Sequence, residues 1–238
     1  MNRPRQRFSI DCEHCELRHE GMFGVLCDHE RSNLNISKTC KVYAKGQLLF
    51  HEGSRPLGVY CINKGKIKVY KLGFDGKEQI VHLAKEGDLL GYRSLIGEDI
   101  YPVSAEALED ANVCFVHKDD FLNLVKGNHS LHENLLKAAC KELGIMTESL
   151  TNLAQKSVRE RTAATLLMLK DTYGTESGDN GPVEIVLSRE DLANIVGTAT
   201  ETLIRQLHDF KEEGLIETSG RKIRVLNARG LVKAGNLY

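Results

Sequence analysis

Short apolar runs separated by glycine turns fill the chain from Tyr43 to about Phe115. The turns fall at Lys45-Gly46, Glu52-Gly53, Lys64-Gly65, Asp75-Gly76, Glu86-Gly87-Asp88 and Gly97. Between them Lys66-Ile67-Lys68-Val69-Tyr70-Lys71 alternates polar with apolar residues, the period of a half-buried strand. Turn signals at roughly eight- to twelve-residue spacing predict a compact antiparallel barrel or roll. From about Asp119 to Ala154 the pattern becomes helical. Leu136, Leu143 and Leu150 recur at every seventh position, and Ala139, Met146 and Leu153 form the second member of the same repeat. Such an a/d stripe suits a dimer seam, with packing against the chain's own roll as the alternative. Lys156 to Arg161 then leads into an apolar helix, Thr162 to Tyr173. Residues Thr175 to Pro182 read as a loop before a strand from Val183 to Leu187.

The most informative pattern follows. Ser188 is placed to cap a short helix, with Asp191 at the capping-box position and Leu192, Ile195 and Val196 on one apolar face. Gly197 ends that helix. Thr198 then starts another as N-cap, with Glu201 completing a second capping box, and Leu203, Leu207 and Phe210 make its buried stripe. Helix, tight glycine turn, helix is the helix-turn-helix arrangement, whose second helix enters the DNA major groove. Glu201 and Arg205 stand four apart on one face, and Ser188 and Thr198 at the two helix starts are counted with them as candidate DNA contacts. A carboxylate there accepts from a cytosine amino group, and a guanidinium forks onto guanine O6 and N7. The plain alternative is an exposed ion pair worth a few tenths of a kcal/mol. Gly214 ends the helix, and Ile216 to Leu226 reads as two short strands around Ser219-Gly220. Arg221, Lys222 and Arg224 lie on that hairpin within reach of phosphates, which makes the unit a winged helix-turn-helix.

Composition sets limits on this picture. A chain of 238 residues has room for one large or two modest domains. Its 32 basic and 33 acidic residues leave a net charge of -1, and the region from 159 onward is balanced too. Affinity for double-stranded DNA must then come from patterned charge near the two helices and the wing, and it should be salt-sensitive. No apolar run approaches the roughly eighteen residues of a membrane span, and no signal-peptide core follows the start. A cytoplasmic protein with no membrane partner is expected. In that compartment the seven cysteines are expected as thiols or metal ligands rather than disulfides. No Ser/His/Asp or Cys/His order and no GxxxxGK phosphate loop is present, so an enzyme is not expected.

The stretch LSREDLANIVGTATETLIRQLHDFKEEGLI resembles the DNA-binding end of the CRP/FNR regulators, the family of the cyclic-AMP receptor protein and the fumarate-nitrate regulator. The resemblance implies that Glu201 and Arg205 read the GA step of a TGA-containing half-site. It puts Thr200 and Ile204 where the family varies its side chains to choose neighbouring bases. It also implies a homodimer on a palindromic operator and contacts with RNA polymerase. KGQLLFHEG and GKIKVYK…GKEQIVHLAKEGDLLG resemble the family's cyclic-nucleotide-binding β-roll. Cyclic AMP itself is not expected. Tyr92 and Val103 occupy the positions where the nucleotide-binding members place a ribose-holding Glu and a phosphate-neutralising Arg.

Cys12-Glu13-His14-Cys15 is a C-x2-C pair, a spacing at which two thiolates can share one metal or cluster. The FNR-like branch holds an oxygen-labile 4Fe–4S cluster on three amino-terminal cysteines and one from the roll. By resemblance the ligands would be Cys12, Cys15, Cys27 and Cys114. The spacing to Cys27 is longer than the family's, Cys27 also sits where a first helix starts near Asp28-His29-Glu30, and Cys40 is a rival ligand. Zinc on Cys12, Cys15, Cys27 and one of His14, His19 or His29 is an alternative. Thiol oxidation without metal, or a small effector other than cyclic AMP, are the others. Cys61 and Cys140 read as core residues.

The expected fold class is therefore α+β. A cysteine-containing arm and first helix occupy 1–38 and a cyclic-nucleotide-binding-like antiparallel β-roll 39–118. A long dimerisation helix follows at 119–157, then a winged helix-turn-helix at 158–238.

Overall fold

The computed structural model describes residues 10–173 and 184–237, so the loop expected at Thr175 to Pro182 lies outside the described residues. The chain forms two compact units, Met1–Gly144 and Ile145–Tyr238. In the first unit, an arm and a single 3-10 turn lead into α1 (Asp28–Ser37). Eight strands follow: β1 (Thr39–Tyr43), β2 (Leu48–Phe50), β3 (Gly58–Lys64), β4 (Ile67–Leu72), β5 (Glu78–Ala84), β6 (Leu89–Leu90), β7 (Ser104–Ala107) and β8 (Ala111–His117). A short helix, α2 (Tyr92–Ile96), interrupts them. They pair antiparallel in two four-stranded sheets, in the orders β1-β8-β3-β6 and β2-β7-β4-β5. This is the expected roll.

Strand alternation gives the roll two apolar layers. One face of the first sheet sends Ile62, Ala111 and Val113 inward to meet Phe50, Ile67, Val69 and Ala105 of the second, and Phe50 stacks on Tyr101 with ring centroids 4.0 Å apart. The opposite face sends Val59, Cys61 and Val116 outward, where Leu34, Phe121, Leu131 and Leu135 cover them. Each fully buried large side chain contributes about 1.5–3 kcal/mol. Gly65 shows why its turn needs glycine. Its φ is +96°, and an added Cβ would lie 2.9 Å from the backbone of Ala111. Gly46, Gly53, Gly76 and Gly87 also take positive φ, whereas Gly97 does not and instead ends α2.

Two expectations are corrected here. Strand β4 is not half-buried by alternation: Ile67, Lys68, Val69 and Tyr70 are all buried. Lys68 is tolerated because its ammonium meets Glu78 at 2.7 Å and Glu106 at 3.6 Å. The single helix expected over 119–154 is two, α3 (Lys118–Gly127) and α4 (His129–Gln155). Asn128 separates them in extended conformation (φ −120°, ψ 104°). Its carboxamide oxygen accepts from the Leu131 N–H at 2.8 Å, and its amide donates to Glu30 on α1 at 2.8 Å.

The second unit contains α5 (Val158–Tyr173), β9 (Glu184–Val186), α6 (Arg189–Val196), α7 (Thr200–Glu212), β10 (Ile216–Ser219), β11 (Lys222–Val225) and α8 (Ala228–Ala234). Its strands form one antiparallel sheet in the order β10-β11-β9. Leu166, Leu169, Leu192, Leu203, Ile216 and Ile223 are fully buried. Helix α5 starts four residues before the expected Thr162, because Ser157 and Glu160 cap it reciprocally. Among the described residues no helix is long and apolar enough to cross a membrane.

Asn128→Ala removes the cap of α4 and the partner of Glu30. It should destabilise the first unit by about 0.5–2 kcal/mol, read as a lower urea midpoint for the roll's tyrosine signal. An unchanged midpoint would show that the cap is not what holds the α3–α4 break.

Candidate nucleic-acid interface

The α6–α7 pair is built around one glycine. Ser188 caps α6 as expected. Its hydroxyl accepts from the Asp191 N–H at 2.9 Å and donates to the Asp191 carboxylate at 2.5 Å, so both its roles are used within the cap. Gly197 ends α6 in the left-handed region (φ 72°, ψ 51°). Its N–H and that of Thr198 both donate to the Ala193 carbonyl, at 2.9 and 3.1 Å. A side chain at Gly197 would strain that turn.

The start of α7 departs from the expected one. Thr198 is buried, at 8% exposure, inside the turn. The N-cap is Ala199, which carries no side-chain cap bond, and the first helical N–H is that of Leu203, donating to the Ala199 carbonyl. The turn uses Thr198 to satisfy Ala193, so neither the Thr198–Glu201 capping box nor Thr198 as a DNA-facing residue stands. Glu201 falls instead in the first turn, where the helix dipole favours its charge.

Helix α7 buries Leu203, Leu207 and Phe210 and turns Glu201, Ile204, Arg205 and His208 outward, with Thr200 half-buried at the edge. Ile204 is 49% exposed. The Arg205 guanidinium donates to Thr202 Oγ1 at 3.3 Å, and no Glu201–Arg205 ion pair forms among the described residues. The plain alternative, a self-neutralised surface pair, is therefore not the arrangement adopted.

Three arginines to which the sequence pattern gives no role organise this unit. Arg161 on α5 donates to the carbonyls of Lys156 at 2.7 Å, Val196 at 3.0 Å and Gly197 at 3.2 Å, clamping the α6–α7 turn. Arg189 at the start of α6 donates to the Gly220 carbonyl at 2.8 Å and ties down the β10–β11 wing. Partial burial lowers its pKa from the usual arginine value. Arg159 lies over the Phe210 ring at 4.6 Å and pairs with Glu213 at 2.7 Å.

The wing forms around Ser219-Gly220 as expected, but its charge is partly engaged. Lys222 meets Glu184 at 2.8 Å, and Arg224 meets Glu184 at 2.7 Å and Glu217 at 3.5 Å. The hydrogen bond from Lys222, then that from Arg224, hold the Glu184 carboxyl below its ordinary range. Arg221 is exposed at the tip.

The cysteines sit in the first unit, and their arrangement departs from the expected ligand set. Cys40 and Cys114 face each other across β1 and β8, with Cα atoms 4.1 Å apart, and are disulfide-bonded. Cys114 bonded in this way has no thiolate to give a metal, and the expectation of free thiols fails at this pair. Cys27 is exposed and serves as N-cap of α1, its N–H donating to Glu30 at 2.9 Å, the role that rivalled ligation. Cys140 is exposed on α4 rather than in the core. Cys61 lies across from Cys114 on the other side, and its thiol is pushed up to about 12, first by burial and then by the neighbouring Cys15 and Cys12. Cys12, Cys15, Cys61 and Cys114 line one cavity of about 60 Å³. The Lys38 ammonium reaches Cys12 Sγ at 2.7 Å, and the Asn63 amide reaches Cys15 Sγ at 3.4 Å. Among the described residues no three His, Cys, Asp or Glu side chains stand close enough to hold one metal ion. The set Cys12, Cys15, Cys27 and Cys114 thus does not fit a single centre.

A larger cavity of about 310 Å³ opens in the roll, lined among others by Tyr92, Arg93 and Val103. Arg93 is turned onto Glu142 at 3.1 Å, and the Tyr92 hydroxyl donates to the same carboxylate at 2.8 Å. Arg93, the cation nearest in sequence to Val103, is therefore already paired.

Two family models match the chain: the cyclic nucleotide-binding domain over residues 40–128 and the Crp-like helix-turn-helix domain over residues 160–234. The Fumarate and nitrate reduction regulatory protein of Escherichia coli (strain K12) is 28% identical over 226 residues, covering 94% of this chain and 90% of that protein. The Anaerobic regulatory protein of Haemophilus influenzae is 29% identical over 226 residues, covering 94% and 88%. Among solved structures, FixK2 from Bradyrhizobium japonicum superposes with a TM-score of 0.71 at 25% identity, over 83% of this chain and 96% of that one. A CRP/FNR-family transcriptional regulator from Thermus thermophilus shares the fold, with a TM-score of 0.70 at 21% identity over 83% and 98%.

Arg161→Ala should free three carbonyls around the turn, at a cost of about 1.5–3 kcal/mol. Amide exchange at Gly197 and Thr198 should rise about 10- to 100-fold. Unchanged protection there would remove Arg161 from its clamping role.

Proposed function

We propose, for a chain that belongs to the CRP/FNR family of DNA-binding transcription regulators, that it acts as a homodimer on a palindrome with TGA-type half-sites. One observation carries this reading: Glu201, Ile204 and Arg205 are exposed together on α7 without the two charges cancelling. In a major groove Arg205 forks onto guanine O6 and N7, and Glu201 accepts from a cytosine amino group. Thr200 and Ile204 face the neighbouring bases, and Ile204 suits a thymine methyl. Arg221 at the wing tip supplies a phosphate contact. Lys222, engaged with Glu184, contributes less than the sequence alone suggests.

Dimerisation is assigned to α4. Leu136, Leu143 and Leu150 are 60%, 67% and 70% exposed, and Met146 and Leu153 extend the stripe. Ala139 packs against its own unit and flanks the seam rather than forming it. An exposed apolar row of this period supports a helix–helix seam. A two-fold pair would set the two recognition helices one DNA turn apart. RNA polymerase is the further partner, in the cytoplasm.

The signal is read as redox. The E. coli relative is a fumarate and nitrate reduction regulator, the H. influenzae one an anaerobic regulator. The cysteines of the first unit carry the redox-active chemistry here, as a thiol-ligated metal centre (iron–sulfur or zinc) or as reversible thiol oxidation. The roll's 310 Å³ cavity supports a second reading, control by a small effector other than cyclic AMP.

Arg205→Ala should cost about 1–3 kcal/mol on the TGA palindrome and relax specificity at one base. Arg221→Ala should weaken all duplexes about equally and lower the salt slope by roughly one. Fluorescence anisotropy across salt and operator variants separates the two, and identical behaviour of the two mutants would sink the role assignment. Leu136→Asp with Leu150→Asp should give a folded monomer by sedimentation, with operator affinity lost. A variant that stays dimeric would place the seam elsewhere.

A further inference from the structure

Strand register places Cys40, Cys114 and Cys61 side by side on β1, β8 and β3. Cys40 and Cys114 form the disulfide, while Cys12, Cys15 and Cys61 keep free thiols. The two arm thiols line one cavity with Cys114, and Cys61 and Asn63 of β3 line it on the side of Cys114 away from Cys40. A thiolate that opens a disulfide attacks one sulfur from the side opposite the bond that breaks. The cavity reaches that side. The sulfur that leaves, Cys40, is half-buried on the edge strand β1, so it departs toward water. A metal ion needs several donors at once, and among the described residues no three such groups can grip one ion. Exchange needs only two sulfurs to meet at a time, and this lining can support it. Donors then distinguish the two arm sulfurs. Lys38 Nζ donates to Cys12 Sγ at 2.7 Å, and an ammonium complements the negative sulfur that attacks. The same ammonium donates to Asn35 Oδ1 at 2.6 Å, which accepts from the Cys12 N–H at 3.0 Å and anchors Cys12 to the end of α1. Cys15 receives only the neutral Asn63 amide, at 3.4 Å. Cys12 is therefore the attacking sulfur and Cys15 the resolving one.

Resting on the redox reading above, we propose that the arm pair Cys12 and Cys15 and the sheet pair Cys40 and Cys114 exchange one disulfide within the chain. The Cys12 sulfur bonds to Cys114 as the Cys40–Cys114 bond breaks, and Cys40 takes up the proton that Cys12 gave. Cys15 then bonds to Cys12, the Cys12–Cys114 bond breaks, and Cys114 takes up the proton of Cys15. The arm pair is oxidised by two electrons and the sheet pair reduced by two, so no outside oxidant or reductant takes part. C-x2-C spacing permits the closing step, as it does in disulfide oxidoreductases. In the exchanged form Cys12 and Cys15 bond each other instead of facing Lys38 and Asn63, so the arm's seat beside α1 changes with the position of the disulfide.

The test uses the full chain, freed of metal by a chelator and held at mildly acidic pH, where thiolate is scarce and exchange stalls. It is brought to mildly alkaline pH without oxygen or added thiol, quenched with acid at intervals, alkylated and mapped by mass spectrometry. Circular dichroism serves as the folding control for each variant. In wild type the Cys40–Cys114 link should decline as a Cys12–Cys15 link rises by the same amount, at a rate independent of protein concentration. Cys15→Ser should stop at a Cys12–Cys114 link, and Cys12→Ser should keep Cys40–Cys114 throughout. Cys61→Ser should behave as wild type. A Cys40–Cys114 link that persists in folded wild type, or that passes to Cys61, overturns the exchange. So does a wild type that carries no disulfide at all. Operator binding by fluorescence anisotropy, on protein purified anaerobically and again after air, tests the redox reading by itself. A response to air without exchange leaves that reading standing, and indifference to air defeats it whatever the disulfide map shows.

Discussion

Three backbone carbonyls, those of Lys156, Val196 and Gly197, converge on the guanidinium of Arg161. Helix ends leave carbonyls without intrahelical partners, and the α6–α7 turn brings two of them together in a half-buried place. A planar cation with several donors satisfies them at once and fixes the turn to α5. Gly197 supplies the left-handed backbone that lets α7 depart, and Thr198 is buried as the turn closes. Where Glu201 and Arg205 point follows from where that turn releases the helix. The outward face of α7 thus depends on a residue of α5 that is not part of it.

Charge placement shapes the same unit. With basic and acidic residues nearly balanced, the chain has no broad positive field to draw in a polyanion. Part of the wing's positive charge is moreover held by Glu184. Those pairs brace β9 against β11, and Arg189 fixes the wing's tip to α6. The wing is therefore positioned by charges that a reading of the sequence alone counts as phosphate contacts. Arg205 and Arg221 are left among the exposed cations of this unit, outside those pairs.

In the first unit the sheet register does what spacing along the chain cannot. Cys40, Cys61 and Cys114 are far apart in sequence, yet antiparallel pairing makes them neighbours on one face. The arm that carries Cys12 and Cys15 packs there because Val59, Val116 and Leu89 form an apolar floor for it. Cys12 and Cys61 pack against that same apolar floor.

Local pattern determined much of this protein: the glycine-punctuated strands, the Ser188 cap, the Gly197 turn, the buried stripe of α7 and the wing are all short-range features, set by backbone conformation and periodicity. The Glu201 and Arg205 face was legible for the same reason, since four residues along a helix fix a neighbour. Only the tertiary structure decided the rest. The break at Asn128 depends on Glu30, nearly a hundred residues away; the burial of Lys68 depends on carboxylates from other strands; and Arg161 acts on carbonyls of another helix. The cysteines divide along the same line. C-x2-C spacing identified Cys12 and Cys15, whereas the partners of Cys114 follow from strand register, which no local pattern encodes. Contacts made across long loops are set by which faces must be buried together, and that is a property of the folded chain.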